Sequence, residues 1–535
     1  MKTELALTNI NSAQALIAIQ QQGTALKNNV IIYQAACKAA IGLLVLIALS
    51  QPTFAGKADD TLNVAFTNEI ETLDYYMATS REALSVGRIL YDGLVSKDFK
   101  TGKFVPELAE SYKFTSDTLV DFKIRGGVKF HNGDALTADD VVFTLNLVSR
   151  PDFGARYAIA VNWIDRAERL DGDTVRLTMK TPYPLALEML AGNVPIYSKT
   201  YYEKVSATGM AVKPIGTGPY KLVEVTPGVS VKLERFADYY KGGQKENPQI
   251  GKINFRVLPE RNTQYAELLN GNIDWIWRVP KDDIVRLASR PGVQVESSPI
   301  MRFDHIGMNP RVPNSPLADV RVRKAINYAI NRKEIRDAFK GESSPIINSF
   351  CNPIQFGCET NVVTYEYSPK KAKELLKEAG FEKGLNLSMI ISAEAAGLAE
   401  AVKANLASVG INLTLNKLQY AAAIEQWRSN KQDMTYGDWG SYGVGDAALS
   451  VGNYFGGGGD DVVSDPEIVN PIIEASKIME MDRRKALYSK ALKLIADRAY
   501  RVPLWVWSMN TAMSKELELH INPDEFIPFY GAKWK

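Results

Sequence analysis

Histidine is nearly absent from this chain. Of 535 residues only His131, His305 and His520 are histidine, which is little material for a metal site or for acid–base chemistry. Cysteine is as scarce, with Cys37, Cys351 and Cys358, and that excludes a disulfide-dense scaffold. An excess of either charge is also missing. Lys and Arg number 63 against 61 Asp and Glu, a formal net charge of +2, so no polybasic character points to nucleic acid or an anionic membrane surface. No apolar run reaches the ~20 residues that a membrane-spanning helix requires. What is present is a globular composition, 46% hydrophobic, 10% aromatic and 23% charged, which excludes disorder. At a prior of ~150 residues per domain, the length predicts three or four domains.

The longest apolar run is Ala39–Leu49. Lys38 precedes it, and Pro52-Thr53-Phe54-Ala55 follows with small residues where a signal peptidase reads. This is the layout of a secretory signal peptide over residues 1–55, with cleavage expected after Ala55. The alternative, a buried core helix, is disfavoured because the run has no polar face and ends at Gln-Pro. Cys37 lies ahead of the run, where a lipidated cysteine cannot be, so no lipid anchor is implied. The leading region is long for a signal, and a translation start within Leu26–Val30 is expected. Loss of residues 1–55 removes three Lys and one Glu, leaving 60 basic and 60 acidic side chains. It also leaves two cysteines, Cys351 and Cys358, flanking a loop that contains Pro353 and Gly357. In an oxidising compartment that pair reads as a local disulfide. The rival reading is a zinc half-site, with no His or further Cys to complete it.

Strand-like and helix-like segments alternate without a fixed repeat, which predicts α/β lobes. Strands are expected at Leu62–Phe66, Val120–Ile124, Thr174–Met179, Lys252–Val257, Asn386–Ile391 and Ile411–Leu415. Helices are expected at Arg81–Leu94, after the Thr137 cap, and at Arg261–Leu269, Val320–Phe339, Pro369–Ala379, Ala395–Val409 and Asp482–Ala496. Trp275 with Trp277, and Trp505 with Trp507, sit at period two on strands and are expected in the core.

Four segments in register resemble a known family. They are Pro106–Ser111 with Phe122–Asp134 and Leu136–Val141; Gly216-Thr217-Gly218-Pro219-Tyr220; Asp319–Arg332; and Tyr367–Phe381. Together, across almost all of residues 60–535, they look like the family 5 extracytoplasmic solute-binding proteins that serve ABC importers of peptides, nickel chelates and opines. Physically these motifs are scaffold: a turn at Asn132-Gly133, an acid at the start of a helix, and a glycine C-cap at Gly380. The resemblance implies a two-lobed α/β fold that closes at a hinge. The first lobe is expected at 56–97, 213–302 and 506–535, an inserted domain at 98–212, and the second lobe at 303–505. It further implies a periplasmic, monomeric protein that hands a peptide or peptide-like solute to membrane permease subunits. It implies no cofactor, no resident metal and no nucleic acid. An opine, a metal chelate or a chemosensory role is the alternative.

Peptide binders of this family read the ligand amine with an acid three positions after a Trp on the second lobe. Here Trp439 is kept, but Tyr442 holds the acid position and the next acid is Asp446. Dipeptide binders hold the ligand carboxylate with an Arg after the strand equivalent to Asn386–Ile391, where this chain has Ser392-Ala393-Glu394. The expected ligand site is therefore Trp439, Gly440, Ser441, Tyr442, Asp446, Tyr454 and Glu394, with Asp438 and Phe455 nearby, a mostly apolar surface with few polar groups. Trp439 and Tyr454 also fit a plain core role. A secreted hydrolase is a remote alternative: Trp439-Gly440-Ser441-Tyr442-Gly443 resembles a nucleophile elbow only with Trp in place of its first Gly. Gly216–Pro219 lacks the Lys-Ser/Thr of a phosphate loop.

Overall fold

The computed structural model describes residues 55–535. The expected signal segment up to Phe54, with Cys37 and the alternative start, lies outside the described residues. Ten strands form one mixed sheet, in the order 411–417, 385–391, 434–440, 293–308, 501–514, 275–277, 61–66, 252–257, 230–235 and 220–226. On one side, Thr61–Phe66 is parallel to both its neighbours, Lys252–Val257 and Trp275–Trp277. On the other, Leu385–Ile391 is parallel to Ile411–Lys417 and Met434–Gly440. Parallel neighbours need crossover connections, and helices such as Arg261–Leu269 and Ala396–Ala407 supply them.

The two halves meet on a pair of long antiparallel strands, Val293–Met308 and Arg501–Ser514. The latter pairs with Trp275–Trp277 through Thr511–Met513, and the former with Met434–Gly440 through Arg302–Met308. Their mutual register slips twice between Pro299 and His305. Such irregularities bend and twist a strand pair, and the expected lobe boundaries at 302/303 and 505/506 fall there. A separate antiparallel sheet, in the order 109–116, 119–124, 174–179 and 164–171, forms within the expected insert. Its helix Ala138–Val148 opens on a cap in which the Thr137 amide and hydroxyl donate to the Asp140 carboxylate at 2.9 and 2.7 Å.

Two expected helices are shorter than the periodicity suggests. The helix beginning at Arg81 ends at Leu90, because Tyr91 is extended. The Gly216–Pro219 segment packs across that end: the Gly218 amide donates to the Leu90 carbonyl at 3.0 Å, and a Cβ on Gly216 would lie 2.0 Å from the same oxygen. The pattern across Val320–Phe339 is two helices, Val320–Ala329 and Arg332–Phe339. Ile330 is extended, and the Asn331 side chain caps the second helix by accepting from the Glu334 amide at 3.2 Å.

Trp275, Trp277 and Trp505 are fully buried. The first two pack with Phe66 and Phe529 in the core of one half, and Trp505 lies among Ile326, Met434 and Leu504 in the other. Trp507 packs against the core of the first half but keeps part of its surface exposed. Cys351 and Cys358 are joined as a disulfide, which removes both thiols from any zinc half-site.

Candidate ligand-binding site

The strand Met434–Gly440 carries different chemistry on its two faces, because successive side chains alternate. On one face, Trp439 meets the ring of Tyr454 at 5.6 Å between centroids. Tyr454 in turn packs on His305 and Phe350. Beside Trp439 lies an open cavity of about 370 Å³, whose lining includes Tyr157, Tyr442, Leu449, Gly452 and Asn453. Arg428 and Asp460 form an ion pair at its rim, at 2.6 Å. Trp439 and Tyr442 therefore share one aromatic, glycine-rich cavity. Tyr454 and the buried Phe455 lie behind it and are not in its lining.

Past Gly440 the chain turns sharply. Tyr442 and Gly443 both have positive φ, 52° and 79°, a costly conformation for a tyrosine. The turn brings the Tyr442 ring onto Tyr157, which precedes the strand Ile164–Asp171, stacked at 4.4 Å, with the Arg81 guanidinium carbon 4.1 Å from its centroid. The Tyr442 carbonyl accepts from Asn193 Nδ2 at 3.3 Å, and the Gly445 amide donates to Glu188 at 3.0 Å. Gly440 leaves room for the Glu525 carboxylate, for a Cβ there would lie 2.9 Å from Glu525 Oε1. Ser441 is buried, and its hydroxyl has no partner among the described residues. The disulfide loop braces this turn: the Phe356 amide donates to the Gly445 carbonyl at 2.9 Å and Gln355 Nε2 to the Val444 carbonyl at 3.0 Å.

Two expected ligand residues do not reach the cavity. Asp446 is buried, and its carboxylate is taken up by Arg484 at 2.7 Å and by the Ala448 amide at 2.8 Å. Burial raises its pKa despite the counteracting Arg484. Its carboxylate is thereby held in a buried ion pair. Glu394 stands exposed on the turn after Leu385–Ile391 and lines neither this cavity nor the narrow one around Arg88 and Glu188.

The other face of the strand holds Asp438, expected near the site, together with charged groups from other elements that the motifs do not mark. Arg302, on the crossing strand, donates through Nε to Asp438 at 2.7 Å and through Nη2 at 2.6 Å, and lies 3.7 Å from Glu525. Arg302 and Lys340 both sit over the Trp507 ring, at 4.3 and 4.2 Å. Asp304, fully buried, accepts from the indole N–H groups of Trp505 and Trp507 at 2.6 Å each and pairs with Lys340 at 3.1 Å. Arg278 lies 3.6 Å from Glu82 and over Trp277. Its pKa is lowered by burial first, and by the like charges of Arg302 and Arg81. Burial also lowers Arg302, but Asp438 and Glu525 outweigh it, and the net shift is upward. These residues are scattered over the sequence between 81 and 525, and apart from Asp438, which adjoins Trp439, no local pattern marks them.

The histidines are structural where they are enclosed. His131 bonds the Gly216 amide and Gly218 carbonyl, and burial lowers its pKa to about 4. His305 is enclosed by rings and held well below its usual value by burial and then by Arg501. Among the described residues no helix is long and apolar enough to cross a membrane, and no cluster of three His, Cys, Asp or Glu could hold a metal ion.

Comparison with known proteins accords with this architecture. The profile of bacterial extracellular solute-binding proteins, family 5 Middle, matches residues 103–461. The glutathione-binding protein GsiB of Pectobacterium atrosepticum is 28% identical over 502 residues, which is 90% of this chain and 95% of that protein. Among solved structures, HbpA2 from Haemophilus parasuis superposes with a TM-score of 0.79 at 23% identity, covering 89% of this chain and 100% of that one. The unliganded open form of MppA, a periplasmic murein tripeptide binding protein, gives a TM-score of 0.75 at 20% identity, covering 89% and 97%. Matched over most of its length by the family's profile and sharing its fold, the chain belongs to family 5 of the bacterial extracellular solute-binding proteins.

Proposed function

We propose that this protein is the periplasmic solute-binding component of an ABC importer, and that it captures a peptide or peptide-like solute between two closing lobes. The observation that carries this reading is Tyr442. It belongs to the second-lobe half of the molecule, yet its ring rests on Tyr157 and Arg81 from the other parts of the chain. Contacts of this kind, made from both sides of a hinge, are what a ligand exploits to favour the closed state. The lobes are 56–97, 213–302 and 506–535 on one side and 303–505 on the other, with 98–212 inserted, and the strands Val293–Met308 and Arg501–Ser514 serve as the hinge.

The ligand site comprises Trp439, Gly440, Ser441 and Tyr442, with Tyr454 as support for Trp439. The chain is exported by a signal peptide cleaved after Ala55, works as a monomer, and docks on permease subunits. Its function is capture and lobe closure, with the solute handed on unchanged. The glutathione-binding relatives favour a short peptide carrying several charges as the solute.

The decisive experiment is mass spectrometry of whatever is released when the purified protein is denatured, followed by calorimetry with that compound. A peptide-like molecule recovered intact and rebinding in the micromolar range or tighter supports the reading. Recovery of a cleaved product after incubation, or a ligand with no peptide-like groups, would overturn it.

A further inference from the structure

The charged face of the site has an unusual layering. The side chains of Glu82, Asp304 and Glu525 are at most 2% exposed, whereas those of Arg278, Arg302 and Lys340 keep 34, 25 and 24% of their surface. One acid of the cluster is as accessible as the cations, Asp438 at 34%. The accessible layer is thus guanidinium and ammonium groups around a single carboxylate, with the remaining acids behind. The backbone is strained in the same place: Arg278 has φ 52° and Glu525 has φ 73°, and non-glycine residues keep such angles where surroundings over-determine them, often at ligand clamps. The Arg302–Asp438 pair also sits where the crossing strands slip register, between the two halves of the sheet.

Arg81, Arg278, Arg302 and Lys340 are balanced in formal charge by Glu82, Asp304, Asp438 and Glu525, so a bare polyanion would find no net attraction. A zwitterion would. We infer that the Arg302–Asp438 ion pair is a self-occupied subsite for an α-amino-acid-like end of the ligand. On binding, the pair opens; Asp438 takes the ligand ammonium, and Arg302, flanked by Arg278 and Lys340, takes the carboxylate. Two ion pairs replace one, so no charge is left buried without a partner, and the planar guanidinium suits a carboxylate bidentately. This subsite supplies an acid and an arginine at positions other than those where motif reasoning sought them. The inference rests on the peptide-like reading above and specifies which ends of the solute are read.

The test is calorimetry on the purified protein with glutathione, its N-acetyl derivative and its diethyl ester, in the wild type and in Asp438→Asn, Arg302→Gln and Lys340→Met, each checked by thermal unfolding. Arg302→Lys, which keeps the charge, guards against a folding defect in Arg302→Gln. Blocking either end should weaken wild-type binding about tenfold or more, the loss expected for a hydrogen-bonded charge. The N-acetyl penalty should shrink in Asp438→Asn and the ester penalty in Arg302→Gln. Unmodified glutathione and both blocked forms binding equally well, or folded Asp438→Asn and Arg302→Gln binding like the wild type, would overturn this subsite while leaving a peptide binder intact. Failure of all three probes and of other zwitterionic peptides to bind the wild type would sink both readings.

Discussion

The rings of Tyr442 and Tyr157 stack with their centroids 4.4 Å apart and their planes 19° from parallel, although the two residues lie in different parts of the fold. An aromatic pair adds ~0.5–1.5 kcal/mol beyond the area it buries, and the Arg81 guanidinium on the same ring adds a contribution of similar size. Tyr442→Ala should therefore weaken ligand binding about tenfold or more, while Tyr442→Phe, which keeps the ring, should stay near the wild type. Calorimetry decides it, and an unchanged affinity for the alanine variant would remove this contact from lobe closure. Tyr442→Gly should be more stable to unfolding than Tyr442→Ala by roughly 1 kcal/mol, because glycine accepts the positive φ at no steric cost.

Trp439 lines the open cavity and rests on Tyr454. Truncation to alanine should cost on the order of 1–3 kcal/mol of binding free energy through lost aromatic burial. The same substitution at Glu394, exposed and off the cavity, should leave affinity unchanged. A loss at Glu394 as large as that at Trp439 would mean that the ligand extends beyond the cavity described.

Asp446 and Arg484 form a buried pair at 2.7 Å, each side chain about 5% exposed. Removing one partner strands the other charge, at a cost of roughly 3–5 kcal/mol. Asp446→Ala should accordingly lower the urea midpoint strongly. A variant as stable as the wild type but defective in binding would instead restore Asp446 as a ligand contact.

The Cys351–Cys358 disulfide closes a short loop, and chain entropy gives such a link about 2–3 kcal/mol. Its loop also bonds the 444–447 turn through Phe356 and Gln355. Cys351→Ser/Cys358→Ser should therefore lose stability and, in addition, weaken binding by loosening the turn that carries Tyr442. Thermal unfolding with and without reductant gives the first effect, and calorimetry below the transition gives the second.

Asp274 is buried, and burial raises its carboxyl to about 6, with bonds from Asn63 only partly offsetting this. Between the unfolded value near 4 and the folded value, the native state holds a proton that the unfolded chain has released. Stability from this group is thus greatest at low pH and falls as pH rises towards 6, by about 2–3 kcal/mol. Asp274→Asn removes that slope. Urea unfolding at pH 4.5 and 7 should show the variant gaining on the wild type as pH rises, and a constant difference would refute the assignment.

Strand and helix positions were largely legible because period and capping are local. The Thr137 cap, the Gly380 terminus and the strand Lys252–Val257 follow from residues within a few positions of one another. Val320–Phe339 misleads because one Asn can both continue a periodic pattern and cap a new helix. Trp439 was visible through its motif. Spacing alone marks Asp446, and spacing carries no information about Arg484, 38 residues on and folded against it.

Composition, the sequence motifs and their order were enough to determine the family, the two-lobed fold and the disulfide. They also marked Trp439 and Tyr442 as places to look. Tertiary structure alone decided which acids are free and which are already paired, that Trp507 at the edge of the core also carries Arg302 and Lys340 over its ring, and that charges from residues 81 to 525 gather on one face of the site. The reason is physical: an element's period is set by neighbours along the chain, whereas a charge's partner and its exposure are set by whatever the fold brings within a few ångströms.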